Sequence, residues 1–355
     1  MITLQDFTYQ LPPDRIAQEP AHPRDHSKLL VVHRKDQTLQ HAHFFELLQF
    51  LKPGDVLVLN NSKTVPSRLY GKKESGGQVE VLFVKPIDKD QASETWEVLT
   101  KPGLKKGQHL HLPQHLEATC IEVTGYTRKI RVTGYEPSVL ETLKKIGHLP
   151  LPHYISKELQ NEHDYQTVYA KVDGSAATPT AGLHFTPELL ESLKQHNITI
   201  EEITLHVGLG TFVPVKTDNI AEHVMHSEWF TLSEETAGRL NRAKEEGRRI
   251  IAVGTTSMRV LESCSICTES MQPQIKPQTG ETSLYVYPPH KFCFVDGLIT
   301  NFHLPRTTLL MLISAFSSEF EQFSTFATSL AGKAYNEALE YNYRFYSFGD
   351  AMFIV

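Results

Sequence analysis

Four short stretches of this sequence gather the side chains and glycines that do chemistry, each where one predicted element gives way to the next, the usual address of function. GSAATPTAGLHF (174–185) sets Thr180, Gly182 and His184 in a run of small residues leading to a helix start at Thr186. Small residues admit a ligand close to the backbone, and a helix start offers N–H groups to an anion. A tightly packed loop has the same composition. TLHVGLGTF (204–212) carries His206, Gly208 and Gly210. At a strand's period of two, Ile203, Leu205 and Val207 share one face, leaving Thr204 and His206 on the other. There His206 is either an inward-facing base or a satisfied structural residue, and the glycines suit a backbone approached closely.

IIAVGTTSMRVLE (250–262) reads as a buried strand, a Gly-Thr-Thr turn and a helix. The amides of Thr255 and Thr256 can hold a carboxylate or phosphate at the helix start. Arg259, one turn in, is either an anion partner or half of a surface ion pair. The stretch lacks G-x-G-x-x-G and the P-loop lysine, so neither a dinucleotide fold nor a nucleotide triphosphatase is supported. VDGLITNFHLP (295–305) joins a strand to an apolar helix and holds Asp296, Asn301 and His303. An acid, an amide and an imidazole read a nucleobase edge or move a proton, or simply tie a corner together.

Eighteen histidines invite a metal, but none stands in H-E-x-x-H, and pairs such as His109 and His111 lack a third ligand at telling spacing. No metal is expected. Cys264 and Cys267 form one C-x-x-C without two further ligands nearby. With four cysteines and no export signal, no disulfide framework is expected, and the pair reads as ordinary thiols at a helix end.

The elements that must position these residues change texture along the chain. Residues 44–51 have helical spacing, and 56–59 form a short apolar run suited to a buried strand. Across 67–136, short β-type runs (78–84, 95–99, 109–112, 118–123, 129–133) alternate with glycine and lysine turns, the pattern of a small all-β barrel or sandwich. Beyond it strands and helices alternate: a helix capped at Thr186, a strand over 198–207, a helix from Ser233, strands over 250–253 and 292–295, and an apolar helix from Thr307. The expected fold is therefore α/β: a large mixed α/β, barrel-like domain (1–66 and 137–355) with a small all-β barrel domain inserted at 67–136.

A net charge of −6 argues against a protein that coats nucleic acid non-specifically. A local basic patch remains open, with Lys101, Lys105, Lys106, Lys144 and Lys145 as candidates. The first residues lack a charged segment followed by an apolar run, and the apolar stretch 309–316 is too short to span a bilayer. A cytoplasmic protein with no membrane partner is expected.

Taken together and in order, YQLPPDRIAQEPAHPRDHSKLL, LVLNNSKTVPSRLYG, GHLPLPHYI, DYQTVYAKVDGSAATPTAGLHFT, TLHVGLGTFVPV with HVMHSE, IIAVGTTSMRVLE, VDGLITNFHLPRTTLLMLISAF and YRFYSFGDAM resemble the S-adenosylmethionine:tRNA ribosyltransferase-isomerase family of queuosine biosynthesis. The likeness is collinear over nearly the whole chain. Small departures occur: Gly174 begins GSAATPT where GSVAAPT is usual, and FHLPRTT stands for FHLPKST. The resemblance implies a large α/β domain with an inserted β-barrel. It implies S-adenosylmethionine as a ribosyl donor that is consumed, and a tRNA whose wobble base is 7-aminomethyl-7-deazaguanine (preQ1) as acceptor. The usual acceptors have GUN anticodons (Asp, Asn, His, Tyr), and a monomer is expected. On that footing His206 and His184 are the leading candidates for a general base, with His226 and His303 behind them. Substrate contacts are expected from Arg24, Asp25, Thr180, Gly182, Gly208, Gly210, Thr255, Thr256, Arg259, Asp296, Asn301 and Arg344. The rivals are a methyltransferase using the same donor, a non-catalytic RNA-binding protein and a histidine-rich metallohydrolase.

Overall fold

A computed structural model describes residues 2–157, 159, 161–208, 215, 217–268, 271–318 and 322–355. The chain packs as two compact units. One comprises Met1–Ser62, His153–Val172 and Thr178–Val355, the other Lys63–Pro152 and Asp173–Ala177.

The first unit is built on a nine-stranded mixed sheet. In spatial order its strands are Gln278–Thr282, Glu228–Leu232, Thr199–Leu205, Val56–Asn60, Ile250–Val253, Gly297–Asn301, Ala351–Ile354, Lys28–His33 and Thr38–His43. The middle four, from Val56–Asn60 to Ala351–Ile354, are buried at every position. Their continuous apolar runs suit strands covered on both faces. Thr199–Leu205, Val56–Asn60, Ile250–Val253 and Gly297–Asn301 run parallel to one another. Asn60, wholly buried, donates from Nδ2 to Leu205 O at 2.9 Å and accepts the Leu205 amide at 3.0 Å, stitching two of these strands where they end.

Six α-helices are described: α1 Val139–Ile146, α2 Pro187–Gln195, α3 Glu234–Glu245, α4 Gly254–Cys264, α5 Thr308–Ser317 and α6 Leu330–Glu340. The cap read at Thr186 is in place, and the helices read from Ser233 and Thr307 are capped by those residues. Thr186 accepts the Leu189 amide, Ser233 that of Thr236 and Thr307 that of Leu310, each satisfying one of the orphan donors at a helix start. α4 differs: its capping position is Val253, which has no side chain able to cap, and Gly254 follows at φ +88°.

The second unit contains a closed barrel of six strands: Thr127–Thr133, Glu94–Lys101, Gln78–Lys89, Arg68–Lys73, His109–His111 and Glu117–Thr124. Alternate residues (Leu69, Val79, Val81, Phe83, Trp96, Val98, Ile130, Val132) fill it, joined by Val139 and Leu143 of α1. A mixed α/β fold with an inserted closed β-barrel is what the sequence texture implied. The unit extends beyond the strands of 67–136 because α1 seats its apolar face in the barrel's core.

Two local readings change. Residues 292–295 are not a strand. The amides of Cys293, Phe294 and Val295 donate to the Glu262 carboxylate at 2.9–3.0 Å, so the chain enters the sheet only at Gly297. The cysteines are not all ordinary thiols: a short hairpin, Ser265–Thr268 with Met271–Ile275, brings Cys267 to Cys293, and the two form a disulfide with Cα atoms 5.9 Å apart. Cys264 is free and buried, and burial pushes its thiol up to about 12. Among the described residues no helix is long and apolar enough to cross a membrane.

Candidate active site

Parallel strands deliver their C-terminal ends, and the loops that follow, to one edge of a sheet, where α/β proteins open a crevice. Here Thr199–Leu205, Ile250–Val253 and Gly297–Asn301 run out into a cleft. Its walls are Thr178, Pro179, Thr180 and Ala181; Val207, Met225 and Glu228; Gly254, Thr255, Thr256 and Arg259; and Thr300, Asn301, His303, Thr308 and Leu309. All four of the chemistry-bearing stretches contribute, though 18 to 37 residues of chain separate neighbours among them.

Thr180, Thr255, Thr256, Arg259, Asn301 and His303 line the cleft. Arg259 is no surface ion pair. It is buried beside the equally buried Glu228, whose Oε2 takes a hydrogen bond from Nη1. Its Nε donates to Leu284 O at 3.0 Å and its Nη2 to Thr282 O at 3.4 Å, while Glu228 Oε1 accepts the Gly208 amide at 2.9 Å. The pair presents the cleft with a charge already answered. Glu228 escaped the sequence reading, although a signal existed. It alternates with Phe230 and Leu232 on the buried face of its strand, a position where an acid needs a partner.

His303 is pinned through its main chain: its amide donates to Tyr335 Oη at 2.9 Å and its carbonyl accepts from Tyr9 Oη at 2.5 Å. Among the described residues its Nδ1 has no hydrogen-bond partner, and the same holds for Thr256 Oγ1; both atoms are buried. Burial holds the imidazole below its ordinary pKa, so it is neutral at pH 7. It is the one histidine in the cleft wall among the described residues.

The other histidines sit elsewhere. His184 is sealed beneath the site, stacked on Phe44 with ring centroids 5.0 Å apart, and both ring nitrogens have partners: Ser27 Oγ at 2.8 Å and Asn301 Nδ2 at 3.1 Å. Burial first, then the positive fields of Arg344 and Arg24, push its pKa down to about 3. His206, just past the end of its strand, stacks on Trp229 at 5.2 Å, and its neighbour Val207 is the residue that lines the cleft. His226 is half-buried and outside the wall.

Asp296 does not join Asn301 and His303. The strand Gly297–Asn301 lies between them, about 16 Å of extended chain. At that far end Asp296 holds Lys244 Nζ at 2.7 and 2.8 Å and the Ile250 amide at 2.7 Å. Arg24 donates to the carbonyls of Gln166 and His163, Asp25 accepts from Thr186 Oγ1 at 3.1 Å, and Arg344 is held by Asp350 at 3.0 Å. None of these three lines the cleft. Gly182 is required by packing: a Cβ there would lie 1.9 Å from Tyr169 Oη. Gly208 lies at the cleft's margin through its bond to Glu228, and Gly210 falls outside the described residues. No group of three His, Cys, Asp or Glu residues is placed to hold a metal among the described residues.

The family model for queuosine biosynthesis proteins matches residues 4–354. The chain belongs to that family. Within it, the S-adenosylmethionine:tRNA ribosyltransferase-isomerase of Thermotoga maritima is 44% identical over 355 residues, covering 99% of each chain. That of Staphylococcus epidermidis is 46% identical over 358 residues and covers all of both. Among solved structures, an S-adenosylmethionine tRNA ribosyltransferase from Thermotoga maritima aligns with a TM-score of 0.54 at 36% identity, over 99% of this chain and 100% of that one. The queuosine-family chain is thus an enzyme of transferase-isomerase class.

Proposed function

We propose that the enzyme transfers and isomerises the ribosyl part of S-adenosylmethionine onto the aminomethyl group of 7-aminomethyl-7-deazaguanine (preQ1) at the wobble position of tRNA, releasing adenine and methionine and leaving epoxyqueuosine. The observation that carries this reading is the convergence of the four family-bearing stretches on a single cleft. The acceptors are tRNAs of GUN anticodon type, and the protein works in the cytoplasm as a monomer without a metal.

The sulfonium acidifies the C5′ protons of the donor. Removal of one by a base gives an ylide, which expels adenine. The tRNA amine then attacks, and methionine leaves as the epoxide closes. His303 is the candidate base: it stands in the cleft wall and is neutral at pH 7. The uncapped start of α4 faces the cleft with amides suited to the methionine carboxylate.

The test is adenine release from S-adenosylmethionine and preQ1-bearing tRNA. His303→Ala should cut the rate by about 100-fold or more, with His206→Ala within a few-fold of the parent. Equal activity in both variants would remove His303 from this role. Formation of S-adenosylhomocysteine in place of adenine and methionine would point to methyl transfer and overturn the reading.

A further inference from the structure

Asn301 is only 2% exposed, yet it forms part of the cleft wall. Its surroundings leave its amide one orientation. Nδ2 lies 3.1 Å from the carbonyl oxygen of Tyr346, which can only accept, so nitrogen and oxygen cannot be exchanged. The same Nδ2 lies 3.1 Å from His184 Nε2. With both amide hydrogens pointing outward, Nε2 must accept one, which places the imidazole proton on Nδ1, where it donates to Ser27 Oγ at 2.8 Å. On the other side, Thr180 Oγ1 gives its hydrogen to Asn301 Oδ1 at 3.2 Å.

Every side-chain donor hydrogen of Thr180 and Asn301 is thus directed at protein. What these two side chains have left for the cleft is lone pairs, on Oδ1 and on Oγ1. A wall of that polarity accepts an N–H and repels a carbonyl or carboxylate. Tyr346 holds its part of the arrangement from a left-handed backbone, φ +76°, costly for a bulky side chain. Its amide also donates to Phe302 O at 3.0 Å, so the strained residue clasps the 301–302 segment from both sides.

We propose that Thr180 and Asn301 form an acceptor-only subsite for an amino group of the sulfonium donor, its polarity fixed by the Tyr346 carbonyl, and that His184 is the positioning residue that takes up the second Asn301 amide hydrogen, which would otherwise be free to act as a donor. This rests on S-adenosylmethionine being the substrate. Two of its groups have the required chemistry, the α-ammonium and the 6-amino group of adenine, and both are N–H donors.

Binding of S-adenosylmethionine to the full-length protein should be measured by calorimetry beside two analogues. One lacks the α-amine, and the other carries a 6-oxo group in place of the 6-amino group. One analogue should bind the parent protein about 10–100-fold more weakly than S-adenosylmethionine does, naming the group that is read. His184→Phe keeps a ring on Phe44 but cannot accept from Asn301, so it should shrink that discrimination to under about 3-fold while leaving the weak analogue's affinity unchanged. Thr180→Val, nearly isosteric, should act in the same direction and serves if His184→Phe does not fold. Equal affinity of the parent for all three ligands would overturn the subsite alone. A parallel weakening of all three in the variants would make His184 merely structural and overturn its role. Failure of the parent to bind S-adenosylmethionine at all would overturn both the subsite and the donor assignment.

Discussion

At the scale of single residues, two buried groups set the chemistry of the cleft and also govern its stability. Glu228 and Arg259 bury opposite charges at 2% and 6% side-chain exposure. Such a pair contributes little net stability, but removing one partner strands the other charge. Glu228→Gln or Arg259→Met alone should cost about 3–5 kcal/mol in urea unfolding, and the double variant markedly less than the sum. Additive losses would mean the two do not act as a pair. His184 couples the site to acid. Unfolded, it titrates near its ordinary value of 6.5; folded, at about 3. The unfolded chain therefore binds more protons throughout that window, so stability is full above about pH 6.5 and falls steadily toward pH 3. His184→Phe should flatten that part of a stability–pH profile; an unchanged slope would show that His184 is not its source. Sequence spacing put His184 among the bases because types and neighbours are visible in a sequence, but burial and the partners of each ring nitrogen are not.

At the scale of elements, legibility follows locality. Helix starts at Thr186, Ser233 and Thr307 were readable because a helix start is decided within four residues. The buried strand Ile250–Val253 was readable as an apolar run. Failures came where a distant partner decides. Glu262, 31 to 33 residues upstream, takes the amides that 293–295 would have offered a strand. Cys267 finds Cys293 only because a hairpin turns it there. The limits of the barrel unit show the same thing: α1 belongs with it through Val139 and Leu143, whose apolar spacing says nothing of which core receives them. Leu143→Ala should cost the barrel about 2–5 kcal/mol. Hydrogen exchange should speed up across the amides of its strands while those of Ile250–Val253 and Gly297–Asn301 remain protected. Uniform acceleration across both units would show that α1 is not a private part of the barrel's core.

At the scale of the whole molecule, two cores divide the labour. The nine-stranded sheet carries the cleft, and the barrel is a separate unit with its own apolar interior. Net charge of −6 confines any contact with RNA to local features. Of the lysines considered, Lys144 is already paired with Glu141 and Asp173, whereas Lys101, Lys105 and Lys106 are exposed. The fold class and the convergence of four stretches were foreseeable from order and pattern. Which of four histidines reaches the cleft was not, because it depends on how the loops that leave the strand ends pack against one another. The account stands on the donor occupying that cleft. A crystal structure of the protein with S-adenosylmethionine tests this most directly. It should place the ligand between Asn301 and α4, with the His303 ring beside C5′. Well-defined density for the ligand at any other surface, with this cleft left to solvent, would contradict it.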